Sequence, residues 1–145
     1  MIRQGDPASV LWENRGRMVF LENHDPRQAA SYLEPPEALR AATVLLHCFD
    51  GTSLIHNGQE IGSRASTFRR GLFEHRCIDW RQPDPQLHAL HRSMIWMRAA
   101  HPCLVRGALR PVDAGQPSIV AFYRDLGGDP AGGGGQHERR ACACL

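Results

Sequence analysis

Met18-Val-Phe-Leu-Glu-Asn-His-Asp25 is the stretch from which the rest of the chain is read. Met18 to Leu21 form an unbroken apolar run, which predicts a strand buried on both faces, as in a parallel sheet. Glu22, Asn23, His24 and Asp25 then arrive together, and Pro26 stops any continuation. A buried strand that delivers a carboxylate and an imidazole at its C-terminal end matches the way α/β barrels present chemistry. The same residues also admit a plainer account, in which Asp25 caps the turn before Pro26 and His24 is simply a polar residue at a strand end.

Working outward, Pro36 and Glu37 suit the first turn of a helix that runs to about Phe49, with Gly51 near its stop. Its apolar positions wrap most of the circumference, so more than one neighbour must cover it. Ser53 to His56 predict a second short strand, and strand, helix and strand make one right-handed βαβ unit. Residues 62–83 read as a long loop, of the kind that is functional or disordered. Asp84-Pro85 provides an N-cap followed by Pro at the first helical position, opening a helix that His101-Pro102 ends. Leu87, Leu90, Met94 and Met97 give that helix a core face. From Leu109 the period moves towards two, and Leu109–Val112 with Ser118–Tyr123 predict a β-hairpin across Asp113-Ala-Gly115.

These segments together resemble a known family. Phe20-Leu-Glu-Asn-His-Asp25 with Arg27 is similar to the last sequence motif of the α-amylase family of glycoside hydrolases. Leu54-Ile-His-Asn-Gly-Gln-Glu-Ile-Gly62 resembles that family's eighth barrel strand and the turn after it, and Leu87 to Tyr123 resembles its last barrel helix leading into a C-terminal β domain. The resemblance implies an α/β chain holding an incomplete (β/α)8 (TIM) barrel, its last two βα units, followed by a β-hairpin of a truncated all-β domain. The corresponding divisions are an N-terminal loop with a partial helix over 1–17, barrel over 18–102, the start of a β-sandwich over 103–126 and a disordered tail over 127–145. A complete barrel needs roughly 250 residues, and this chain has 145, so a C-terminal fragment is expected.

Retaining glycoside hydrolysis needs two carboxyl groups about 5 to 5.5 Å apart, one to attack and one to protonate the leaving oxygen. In the family these sit on earlier barrel strands, and nothing before Met18 matches them. The resemblance makes Asp25 the third carboxylate, a stabiliser of the transition state. It makes His24 and Arg27 sugar contacts, and Glu60 lies on the same rim, where pairing with an Arg is an equal alternative. The implied partner is an α-glucan or oligosaccharide, and the isolated chain is expected to be inactive. The competing class is a non-catalytic module that binds carbohydrate, or that meets an oligomeric copy or a partner covering the surplus apolar surface.

Composition narrows the rest. The net charge of +2 and the scattered Arg residues, with no Lys among the 17 basic side chains, show no nucleic-acid patch. No segment is apolar enough for a signal peptide or a membrane span, which predicts a cytoplasmic protein without membrane contact. Five Cys without paired spacing read as thiols. No metal or other cofactor is expected: His88 and His91 lack a third ligand and read as exposed helix positions, and His47 reads as a packed residue. Cys142-Ala-Cys-Leu145 fits a prenylation box only formally, because Cys is a poor aliphatic at the third place.

Overall fold

A computed structural model describes residues 17–24, 27–64 and 77–126, together with the backbone of 139–143. The elements run β1 (Met18–Val19), α1 (Pro36–Cys48), β2 (Thr52–Ser53), α2 (Pro85–Ala100), α3 (Pro102–Arg106), β3 (Ala108–Val112), β4 (Ala121–Asp125) and β5 (Arg139–Ala143). Single 3₁₀ turns at Ala29–Ser31 and Gln59–Ile61 follow β1 and β2 respectively.

β1 and β2 pair in parallel, Met18 with Thr52 and Val19 with Ser53, around the α1 crossover. The βαβ unit read from the sequence is therefore present. Its strands are shorter than the apolar runs, although the Leu54 amide still donates to the Val19 carbonyl at 2.8 Å. Burial on both faces is not found: Met18 and Phe20 are exposed, and Val19 and Leu21 are half-buried. A two-stranded parallel sheet has two outer edges, and among the described residues neither is paired.

α1 packs on α2. Pro36 opens α1, while Asp84 caps α2 by accepting from the amides of Gln86 and Leu87 at 2.9 and 3.0 Å. One cluster, Ala29, Ala30, Leu39 and Leu87, sits beneath the turn after β1. Another, Cys48, Met94, Leu109 and Phe122, joins the helices to the hairpin. Phe49 stacks on Phe122 with ring centroids 5.4 Å apart. Two guanidinium groups converge on the α1–β2 connection. Arg98 donates to the carbonyls of His47 at 2.7 Å, Phe49 at 3.2 Å, and Gly51. Arg124, fully buried, donates to the carbonyls of Cys48 at 2.8 Å and Gly107 at 2.6 Å and pairs with Asp50 at 3.3 Å. Gly51 itself adopts φ +103°, and a Cβ there would strike the carbonyl of Arg17, the residue before β1.

β3 and β4 form the expected antiparallel hairpin, with β4 displaced towards the C-terminus of the run read as strand. Asp113 accepts from the Gly115 amide at 2.8 Å and shapes the connection. Three expectations need correction. Pro102 starts the short helix α3 rather than only ending α2, since Pro is well placed at a first helical position. Of the tail, Arg139–Ala143 is a strand that pairs antiparallel with β4, whose second edge was open to it; residues 127–138, 144 and 145 lie outside the described residues. His91 is buried, not exposed, because α2 turns that face onto α1. The N-terminal loop over 1–16 and most of the long loop, 65–76, also lie outside the described residues. Among the described residues no helix is long and apolar enough to cross a membrane.

Candidate functional site

The chain segments that follow β1 and β2 leave the sheet at the same end, and they carry the polar residues singled out from the sequence. His24 and Arg27 stand exposed on the turn between β1 and the Ala29–Ser31 turn. Asp25 and Pro26 lie outside the described residues. Glu60 is half-buried in the Gln59–Ile61 turn, where its carboxylate accepts from the Gly58 amide at 3.1 Å. Gly58 has φ +90° and Gly62 φ +70°, so the two glycines that frame this turn are required by its backbone.

The centre of the cluster is a residue not singled out above, Glu22, whose side chain is 1% exposed. One oxygen, Oε2, accepts from the Ala29 amide; the other, Oε1, lies 3.7 Å from His56 Nδ1. Burial, together with the negative charge of Glu60, raises its pKa to about 7 against the opposing pull of the Ala29 amide. Tyr32 donates to the Leu21 carbonyl at 2.8 Å and closes the outer side. Burial and the charge of Glu22 raise the Tyr32 hydroxyl above its ordinary value. The signal for Glu22 was in the sequence: a carboxylate directly after an apolar strand sits deeper than those beyond it.

Beside the cluster, a cleft of about 500 Å³ runs between the end of β2 and α2, with His56, Glu60, His91 and Trp96 on its walls. His91 Nδ1 meets His47 Nε2 of α1 at 3.3 Å, with the rings edge to face. Burial lowers both imidazoles to about 4, helped for His47 by His91 and Arg98 and for His91 by His88. No group of three or more metal-ligating side chains occurs among the described residues.

The comparisons bear on this arrangement. The chain is 30% identical over 114 residues to Alpha-amylase 2 of Dictyoglomus thermophilum. It superposes on a maltogenic α-amylase from Thermotoga neapolitana with a TM-score of 0.65 at 25% identity, covering 74% of this chain and 25% of that one. The chain belongs to the α-amylase family. A Nostoc punctiforme debranching enzyme, solved after an acarbose soak, shares the fold with a TM-score of 0.67 at 22% identity, covering 77% of this chain and 22% of that one. No family model matches the chain. The match to Alpha-amylase 2 takes in 72% of this chain and 20% of that protein, so the chain spans about a fifth of the length of this α-amylase-family relative. Its α/β architecture, with a parallel strand pair and a separate antiparallel sheet, is consistent with part of the barrel of these glycoside hydrolases.

Proposed function

We propose that this chain supplies one rim of an α-glucan pocket: the last two βα units of the barrel, followed by the start of the C-terminal β domain. The observation that supports the reading is the parallel register of β1 and β2, which sends the His24 and Glu60 turns off the same end of the sheet. On this rim the His24 imidazole and the Arg27 guanidinium donate to sugar hydroxyls. Asp25 accepts from two neighbouring hydroxyls and favours the flattened ring of the oxocarbenium-like transition state. Glu60 orients a further hydroxyl. Because these residues carry neither the attacking carboxylate nor the acid, the 145-residue chain is expected to bind maltooligosaccharides weakly and to hydrolyse none.

Titration of the labelled chain with maltotriose, followed by amide NMR, tests this. Shifts confined to the residues around His24, Arg27 and Glu60, and abolished in Asp25→Ala, are expected. Shifts spread evenly over the surface, or turnover of an activated α-maltoside that Asp25→Ala removes, would refute the reading.

A second reading, a module completed by a partner or by its own copies, is favoured by the apolar flanks of the strand pair. One flank exposes Met18 and Phe20 beside Leu45 and Phe49 of α1 and its C-cap. The other exposes Ile95 and Trp96 of α2. Sedimentation velocity separates the two readings: association that grows with concentration and weakens in Trp96→Ser supports the second, whereas a monodisperse monomer at all concentrations counts against it.

A further inference from the structure

The β1–β2 register, carried three residues beyond Val19 and Ser53, sets Glu22 opposite His56. That is where two buried polar atoms lack a hydrogen-bond partner among the described residues: Glu22 Oε1 and His56 Nδ1, 3.7 Å apart. Each belongs to a different rim turn. Through Oε2, Glu22 holds the Ala29 amide and so closes the turn carrying His24 and Arg27. His56 opens the turn carrying Glu60, its own amide donating to Gln59 Oε1 at 3.4 Å.

We propose that Glu22 and His56 share one proton across this gap and act together as positioning residues, fixing the spacing of the two turns. The proton comes from solvent and rests either on Oε1, donated to the Nδ1 lone pair, or on Nδ1, donated to the carboxylate. Either placement satisfies both atoms once the 3.7 Å gap closes to hydrogen-bond distance. With no proton on either facing atom, a carboxylate 1% exposed keeps one oxygen unpaired, which is costly in a low-dielectric setting. The groups that face the pair are Glu60, from the 3₁₀ turn after β2, Tyr32, from the segment after the Ala29–Ser31 turn, and His88, His91 and Arg92 of α2, across the cleft from His56. Glu60 favours the protonated pair by repelling a Glu22 anion. Tyr32 contributes a neutral hydroxyl already committed to the Leu21 carbonyl. Since Glu22 titrates at about 7, the bridge gains and loses its proton in the neutral range.

The bridge stands independently of what the rim binds; its effect on sugar contacts rests on the function proposed above. The test is an NMR titration of the full chain through neutrality, following the Glu22 carboxyl carbon and the His56 ring nitrogens, with maltotriose affinity measured at the same pH values. We expect both side chains to respond at one common midpoint, and the His56 midpoint to move in Glu22→Gln. Maltotriose affinity should fall several-fold as the pair loses its proton, and stay flat with pH in Glu22→Gln. Separate midpoints for the two groups, or a His56 curve unchanged in Glu22→Gln, would overturn the bridge; if that variant does not fold, the wild-type curves alone decide. A common inflection without maltotriose binding at any pH leaves the bridge intact and refutes the sugar reading. Binding with the same pH profile in wild type and Glu22→Gln overturns the positioning role.

Discussion

Replacing Arg124 by Met should cost about 3–5 kcal/mol, the range for breaking a buried charge pair from one side. Met keeps the aliphatic reach but none of the donors. The Cys48 and Gly107 carbonyls, held at 2.8 and 2.6 Å, lose their guanidinium partner, and the Asp50 carboxylate, at 3.3 Å, keeps, among the described residues, only the Gly51 amide at 3.1 Å. Each stranded carbonyl is worth roughly 1–3 kcal/mol. These figures do not sum, because water can reach the Asp50 side chain, which is 11% exposed against 0% for Arg124. Urea unfolding followed by far-UV circular dichroism reads the loss as a midpoint lowered by roughly 2 M for a chain of this size. Arg124→Lys should recover less than half, because one ammonium cannot span carbonyls contributed by α1 and by the residue before β3. Should Arg124→Met fail to fold, Asp50→Asn remains measurable at about 1–2 kcal/mol, since it removes the charge and keeps an acceptor. A loss below about 1 kcal/mol in Arg124→Met would show that the guanidinium is not what binds the hairpin to the helices.

Two opposed pH dependences and one backbone effect follow as well. His47 and His91 titrate at about 4 in the folded chain, below the ordinary 6.5. Their contribution is therefore full above about pH 6.5 and lost as pH falls through about 4; His91→Leu should flatten that acid limb in pH-dependent urea titrations. Glu22 has the reverse sign: raised from 4.5 to about 7, its contribution is full below about pH 4.5 and lost as pH rises through about 7. The ceiling is about 3 kcal/mol, so Glu22→Gln should be relatively more stable at alkaline pH and should steepen the acid limb left to the two His residues. Gly51→Ala forces a side chain into φ +103° against the Arg17 carbonyl and should cost about 1–3 kcal/mol in thermal or urea unfolding.

The sequence revealed the elements more readily than their surroundings. Asp84-Pro85 announced the start of α2 because capping is local chemistry, read within four residues. The βαβ unit followed from apolar runs bounded by Pro and Gly, and the family from motifs spread over three segments. What escaped the reading depends on distant neighbours. Two-face burial of Met18 to Leu21 required sheet partners that the described residues do not supply. The burial of His91 depends on which helix lies opposite, and period alone does not name that helix. The strand at Arg139–Ala143 formed because β4 had an edge to offer, although its own composition is a poor advertisement for pairing. At the site, His24, Arg27 and Glu60 were legible as strand-end polar residues. Glu22 was quoted with them but passed over, since its importance comes from what lies three residues beyond the ladder on the other strand.

Along β4, Phe122 and Arg124 point inward together, paired with Pro111 and Leu109 of β3. Sliding β4 by a single position would turn both outward and bring Tyr123 in, abandoning three acceptors at once. Arg124 thus works as an index tooth: the sheet can seat in one notch only, and the alignment of the hairpin is dictated in part from outside it, by the Cys48 carbonyl and the Asp50 carboxylate at and just beyond the end of α1.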